Sequence, residues 1–216
     1  MSADAGALRD EIVSVARALD SAGLMPNKSG NVSCRSAQGF LITPSGLPYA
    51  EMTSGQVVEM PLPALAEPVG GLRPSSEWRM HAAVYEARPD VMAIVHTHSP
   101  RATALACAGK GIPPFHYMIA LAGGEVRCMP YATFGSDELA AQAVRGLDGR
   151  RAVMLANHGV VAVGASLRRA QAVAIEVENL AGQYLDLLAA GLQPRILDAE
   201  ELREVIGKFQ DYGRIA

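Results

Sequence analysis

An α/β fold is what this sequence predicts, on three observations. Apolar residues recur at helical spacing in several stretches, short β-rich runs bounded by turn residues lie between them, and the composition is that of an ordinary globular chain. Of its 216 residues, 50% are hydrophobic and 19% charged. That excludes disordered and collagen-like classes and leaves enough chain to bury a core without disulfides. One domain spanning 1–216 is expected. The formal net charge is -3 and Lys and Arg are scattered, so the footprint of a nucleic-acid or anionic-membrane binder is missing and the expected partner is a small molecule. Cys34, Cys107 and Cys128 are far apart with no CxxC pair, and each reads as a small buried apolar residue. No basic N-terminal segment precedes an apolar stretch and no apolar run approaches the ~18 residues of a membrane span, which predicts a cytoplasmic protein.

The elements follow in order. Leu8, Ile12, Val15, Ala16 and Leu19 mark a helix that stops at Gly23. Runs around Val32 and at 40–42, separated by 36–39, predict a hairpin leading into the turn Pro44-Ser45-Gly46. The Pro- and Gly-rich stretch 61–74 reads as a surface loop. A helix is predicted from Ser75 to about Ala87, before Pro89, and it feeds a strand over 91–98. Strands near 125–129 and 153–156 bracket a helix opened by Ser136, and 160–163 continues the sheet. Two helices close the chain, one from Ser166 to Gly191 and one from Asp198, which forms a capping box with Glu201.

His96-Thr97-His98 ends a predicted strand, where residues two apart point to the same side, so both imidazoles can reach one point. Imidazole is a common zinc ligand, and three protein ligands with an open position make a catalytic site. His158 is the leading third ligand, because Gly159 lets the backbone turn there. His81, four residues from Glu77, reads as a histidine hydrogen-bonded within the helix packing, and His116 can equally be a packed strand residue; both stay outside the metal site. Ser75-Ser76-Glu77 opens a helix whose unpaired N–H groups suit a phosphate. Taken singly, a serine there reads as an N-cap, Glu77 as a dipole-stabilising acid, and Gly30-Asn31 and Ser45-Gly46 as turn residues.

Taken together, these residues fall in a series that resembles the class II aldolase/adducin family, closest to its L-fuculose 1-phosphate branch. The series is 29–33 (Ser-Gly-Asn-Val-Ser), 41–46 with Pro48-Tyr49, 74–79, His96-Thr97-His98, and Ile112-Pro113 with 116–120. It continues through Ala122-Gly123-Gly124, 130–135, Asn157-His158-Gly159, Lys208-Phe209 and Tyr212-Gly213. The resemblance implies an α/β fold with a central, largely antiparallel mixed sheet between helical layers. It further implies a four-fold homotetramer with active sites between subunits. One Zn2+, or another divalent ion, would be held by His96, His98 and His158, with Glu77 as a ligand that leaves when substrate arrives. Phosphate would lie against Gly30, Asn31, Ser45, Gly46, Ser75 and Ser76. Tyr117, from across the interface, would protonate the aldehyde oxygen, and Phe134, Phe209 and Tyr212 would line the aldehyde end.

The implied reaction is reversible cleavage of a ketose 1-phosphate, L-fuculose 1-phosphate-like, into dihydroxyacetone phosphate and a small aldehyde such as lactaldehyde. Breaking that bond leaves an enediolate, whose charge a divalent cation stabilises while Glu77 moves the proton at the reacting carbon. The chain departs from the branch at Thr97 (typically Asn) and Ser45 (Thr), both conservative for hydrogen bonding, and at Pro26-Asn27-Lys28 and Arg214. Lys28 reads as a solvated loop lysine or as added charge near the phosphate. The alternatives are an aldolase for 5-deoxypentulose 1-phosphate or 5-(methylthio)ribulose 1-phosphate, a same-fold pentulose-phosphate epimerase or dehydratase, and an adducin-like assembly module. Lost metal ligands would be the signature of the last, and here all four are present.

Overall fold

The protein is described by a computed structural model, over residues 5–64 and 71–211. Helix α1 (Ala5–Ser21) buries Ile12, Val13, Val15, Ala16 and Leu19 along one side, and Gly23 (φ 75°) turns the chain out of it. The hairpin forms as expected, β1 (Asn31–Ser36) against β2 (Gly39–Ile42), with Ser33 opposite Ile42 and Ser36 opposite Gly39. A strand not read from the sequence, β3 (Val58–Pro61), runs antiparallel to β2. Only its Met60 is buried, so it carries no clear alternation, and its position at the sheet edge tolerates Pro61. Of the predicted loop 61–74, residues 65–70 lie outside the described residues.

Helix α2 (Trp78–Ala87) starts three residues later than the sequence pattern indicates. The cause is tertiary pairing: Ser75 N donates to Thr43 O (3.0 Å) and Ser45 N to Arg73 O (2.9 Å), which holds 73–75 extended against the end of β2. β4 (Ala93–Thr97) follows, then a short helix that was not anticipated, α3 (Pro100–Cys107). β5 (Arg127–Met129), α4 (Asp137–Gly146), β6 (Ala152–Leu155) and β7 (Gly159–Gly164) come next, with Ser136 capping α4 by accepting from Leu139 N at 3.1 Å. α5 (Leu167–Ala189) has Ser166 as its cap. α6 (Ala199–Asp211) has the expected capping box: Asp198 Oδ1 accepts from Glu201 N at 2.9 Å and Glu201 Oε2 from Asp198 N at 2.9 Å.

The seven strands lie in the order β3-β2-β1-β4-β7-β6-β5, antiparallel except for β5 beside β6. Alternation assigns the two faces. Val32, Leu41, Val95, Met154 and Ala162 share a core with α1, α3 and α5. Phe40, Ile42, Ile94, Val153 and Val161 share the other with α2 and α4. Burial on both sides explains why β4 and β7 are almost continuously apolar. The largely antiparallel sheet between helical layers is therefore observed. Cys34 is buried, but Cys128 is only half-buried and Cys107, in the last turn of α3, is exposed, against the expectation of three buried thiols. No described helix is long and apolar enough to cross a membrane.

Candidate active site

β1 pairs with β4 so that Asn31 sits opposite His96, and the two-residue period puts His96 on the same face as Ile94, toward α2. His98 follows just past the strand, its N–H held by Leu24 O at 3.1 Å. His158 lies in the turn from β6 to β7. That turn is made by Asn157 in the left-handed region (φ 56°) rather than by Gly159. Gly159 serves another purpose: a Cβ there would lie 2.4 Å from Thr97 O, so only glycine lets the turn close onto β4. Glu77 caps α2 and reaches the same point from the opposite side.

The donor atoms of Glu77, His96, His98 and His158 lie within 4.8 Å of one another. His96 Nε2 is 2.8 Å from Glu77 Oε2 and 3.0 Å from His98 Nε2, and His158 Nε2 is 3.1 Å from Glu77 Oε1. His96 Nδ1 faces Val160 O at 2.9 Å. That carbonyl can only accept, so Nδ1 carries a proton and Nε2 is the ring atom left to face the cluster. Glu77 Oε1, although close to His158, makes no aligned hydrogen bond and is buried. Four potential ligand atoms thus converge on one centre, and three imidazole nitrogens with a carboxylate are a donor set suited to zinc-like ions. Burial opposes ionisation of Glu77, but His96 and His158 outweigh it and hold the carboxyl well below its usual range. Burial likewise works against His96 as an imidazolium, yet Glu77 holds its pKa above the ordinary value. His98 is pushed down to about 3, first by burial and then by the charge on His96 and His158.

A cleft of about 210 Å³ opens over this cluster, lined by Lys28, Ser29, Gly30, Asn31, Pro44, Ser45, Gly46, Ser75, Ser76, Glu77, His98, Phe134 and His158. All six residues expected to hold phosphate are on its wall. The pairing of 43–45 with 73–75 brings Ser45-Gly46 beside Ser75-Ser76, and the Tyr49 hydroxyl, donating to Gly30 O, secures the 28–31 loop. Gly30 must be glycine because a Cβ would meet His96 O at 2.6 Å. Lys28, in the left-handed region (φ 64°), is exposed yet lines the cleft.

Phe134, 68% exposed, is on the cleft wall; Tyr117, 53% exposed, is not, and its ring packs 6.3 Å from that of Phe209. Tyr212 and Arg214 lie outside the described residues. His116 is no strand residue: it caps a 3₁₀ turn, Tyr117–Ala122, with Nδ1 accepting from Met118 N at 3.2 Å. His81 is fully buried, but its partners are on β1 rather than in its own helix, Asn31 Oδ1 at 2.5 Å and Ser33 Oγ at 2.6 Å. The Thr97 hydroxyl, expected to keep the hydrogen bonding of the residue it replaces, is buried without a hydrogen bond. Sequence reasoning missed Ser33 and Tyr85. The available signal was spacing, since Glu77, His81 and Tyr85 recur every four residues and Asn31 and Ser33 every two.

This cluster and cleft, set on that sheet, belong to a family already described. The chain is a member of the class II aldolase and adducin N-terminal domain family, whose model matches residues 10–185. Among its relatives is the 5-methylthioribulose-1-phosphate/5-deoxyribulose-1-phosphate aldolase of Rhodospirillum rubrum, 45% identical over 96% of this chain and 93% of that one. Another is the L-fuculose phosphate aldolase of Escherichia coli, 41% identical over 95% of each chain. A solved structure of an L-fuculose 1-phosphate aldolase matches with a TM-score of 0.90 at 38% identity, over 97% of this chain and 98% of that one. The chain is thus a class II aldolase by family.

Proposed function

We propose that the protein is a metal-dependent aldolase that cleaves a deoxy-ketose 1-phosphate into dihydroxyacetone phosphate and a small aldehyde, residues 1–216 acting as one domain. The observation that carries the reading is a buried Glu77/His96/His98/His158 cluster at the floor of a cleft walled by Asn31, Ser45, Ser75 and Ser76. A divalent ion in that cluster, Zn2+ in this reading, would supply Lewis-acid stabilisation of the charge that develops on the substrate oxygens. The serine hydroxyls, the Asn31 amide and the Lys28 ammonium receive the phosphate. Its binding energy then orients the reacting carbon toward Glu77. Glu77 takes and returns the proton at that carbon.

Tyr117 is away from its own chain's cleft wall, which supports its delivery to a neighbouring subunit's site, where its phenol would serve the aldehyde oxygen. The homotetramer is part of the same proposal. For the aldehyde we place a 5-deoxypentulose or 5-methylthiopentulose 1-phosphate ahead of L-fuculose 1-phosphate. The Rhodospirillum relative is the more similar of the two, 45% against 41%, and Phe134 offers an apolar ring at the cleft. Dihydroxyacetone phosphate release from a panel of these ketose 1-phosphates, with and without a chelator, tests the proposal. Cleavage that survives chelation, or no cleavage of any member by metal-replete protein, refutes it.

A further inference from the structure

Beneath Glu77 lies a polar seam inside an otherwise apolar layer. β1 alternates, so Asn31 and Ser33 face α2, and the spacing of four along α2 aligns Glu77, His81 and Tyr85 against them. Asn31 Nδ2 lies 3.3 Å from Glu77 Oε2, Asn31 Oδ1 2.5 Å from His81 Nε2, Ser33 Oγ 2.6 Å from His81 Nδ1 and 2.7 Å from Tyr85 Oη. None of the five residues is more than 4% exposed.

We propose that His81 is a positioning residue that locks the Asn31 amide with its N–H groups turned to Glu77 and the cleft, as the central link of a one-way hydrogen-bond chain from Tyr85 to Glu77. The direction follows from what each group can do. A carboxylate only accepts, so Asn31 Nδ2 donates to it and Asn31 Oδ1 is left facing His81, whose Nε2 must carry the proton. The ring is fully buried, and burial lowers its pKa from the ordinary value, so it is held neutral with a single N–H. Nδ1 is therefore an acceptor. The Ser33 hydroxyl donates to it, and the Tyr85 hydroxyl in turn donates to Ser33.

A reversed Asn31 amide would set oxygen against the Glu77 carboxylate and turn an acceptor toward the cleft, replacing two attractive contacts by two repulsive ones. An apolar residue at 81 would fill the space and leave the amide free to turn. A histidine protonated on Nδ1 would select the wrong orientation. Ser33 and Tyr85 set the tautomer, the tautomer sets the amide, and the amide sets the polarity of the cleft wall beside the base. The catalytic consequence rests on the aldolase reading; the lock itself does not.

The first measurement therefore needs no substrate. In Zn2+-loaded protein with 15N-labelled histidine, the His81 ring signals, assigned by their loss in His81→Gln, are expected to show a neutral ring protonated on Nε2. Protonation on Nδ1 or on both nitrogens overturns the proposal. Direct titration with inorganic phosphate and assay of aldol cleavage then compare His81→Leu with His81→Gln. His81→Leu should keep its metal and its fold, bind phosphate more weakly, and lose roughly tenfold to a hundredfold in kcat/KM. His81→Gln, whose amide can donate to Asn31 Oδ1, should recover most of both. A His81→Leu protein with unchanged phosphate affinity and kcat/KM overturns the lock. Should that variant not fold, Ser33→Ala replaces it: loss of the donor to Nδ1 should give a second His81 ring state, and an unchanged ring spectrum counts against the proposal. If the wild-type protein cleaves no ketose 1-phosphate, the functional reading fails while the ring and phosphate measurements still decide the lock.

Discussion

Gly159→Ala tests the claim that close backbone approach builds the metal cluster. The added methyl would lie 2.4 Å from Thr97 O, 3.1 Å from His98 Cδ2 and 3.3 Å from His96 Cε1. A carbon–oxygen contact settles at about 3.3–3.6 Å, so relief takes about 1 Å of movement. The obstructing atom is backbone, in the strand that pairs Thr97 with Val160, and cannot swing aside as a side-chain tip would. Overpacking of this kind costs about 1–3 kcal/mol, or about 2–12 °C in Tm for a chain of this size. Separation of β7 from β4 also moves His158 away from His96 and His98, and a displaced ligand shell should weaken metal binding by about 10–100-fold. Thermal unfolding and metal content after competition with a graded chelator read the two effects. A Gly159→Ala protein with wild-type metal affinity would refute the reasoning, because the methyl cannot be housed without moving one of the three histidines.

Four further outcomes are expected. Lys28→Gln should raise KM for ketose 1-phosphates more than it lowers kcat and should flatten the dependence of KM on ionic strength; equal salt dependence in both proteins counts against a phosphate contact. Glu77→Gln should retain most of the metal through the three histidines yet stop solvent deuterium from entering dihydroxyacetone phosphate, and exchange at the wild-type rate would require another base. Tyr117→Phe should keep that exchange while losing carbon–carbon cleavage, and a mixed oligomer of Tyr117→Phe and His96→Ala chains should regain cleavage if sites are shared. Metal at a hundred times its Kd should raise stability by about 2.7 kcal/mol, or about 5–11 °C in Tm, and His96→Ala should abolish that gain.

Much of this was readable in the sequence because the signals are local. A two-residue period in a strand put His96 and His98 on one side, and Asp198 with Glu201 marked a helix start, without reference to anything distant. What escaped depends on partners far along the chain. The start of α2 slipped from Ser75 to Trp78 because 73–75 pair with 43–45, and no local propensity encodes that pairing. β3 escaped because one buried residue in four makes no pattern. The role of Gly159 was misassigned because φ and close approach look alike in sequence: both leave a glycine. His81 was placed correctly in a packed helix but not connected, since its partners Asn31 and Ser33 lie 50 and 48 positions earlier.

The polar seam also explains why the site can sit in the same layer as the core formed with α2 and α4. Phe40, Ile42, Ile94, Val153 and Val161 make that face of the sheet apolar on either side of the point where β1 meets β4. At that point the face turns polar, with Asn31, Ser33 and His96. A buried polar group left without a partner costs about 1–3 kcal/mol, and the one-way chain from Tyr85 to Asn31 gives each of its members one. Where the chain ends, the accounting changes. Glu77 Oε1 is the only charged atom among the buried, unbonded side-chain atoms of the described residues, and it faces the His158 ring at 3.1 Å without an aligned hydrogen bond. An ionised oxygen cannot be left so without a larger penalty than any hydroxyl incurs. The seam therefore pairs its own polar groups up to the carboxylate and leaves there an interaction that a cation can make, which is how an apolar core and a candidate metal site come to share one face of one sheet.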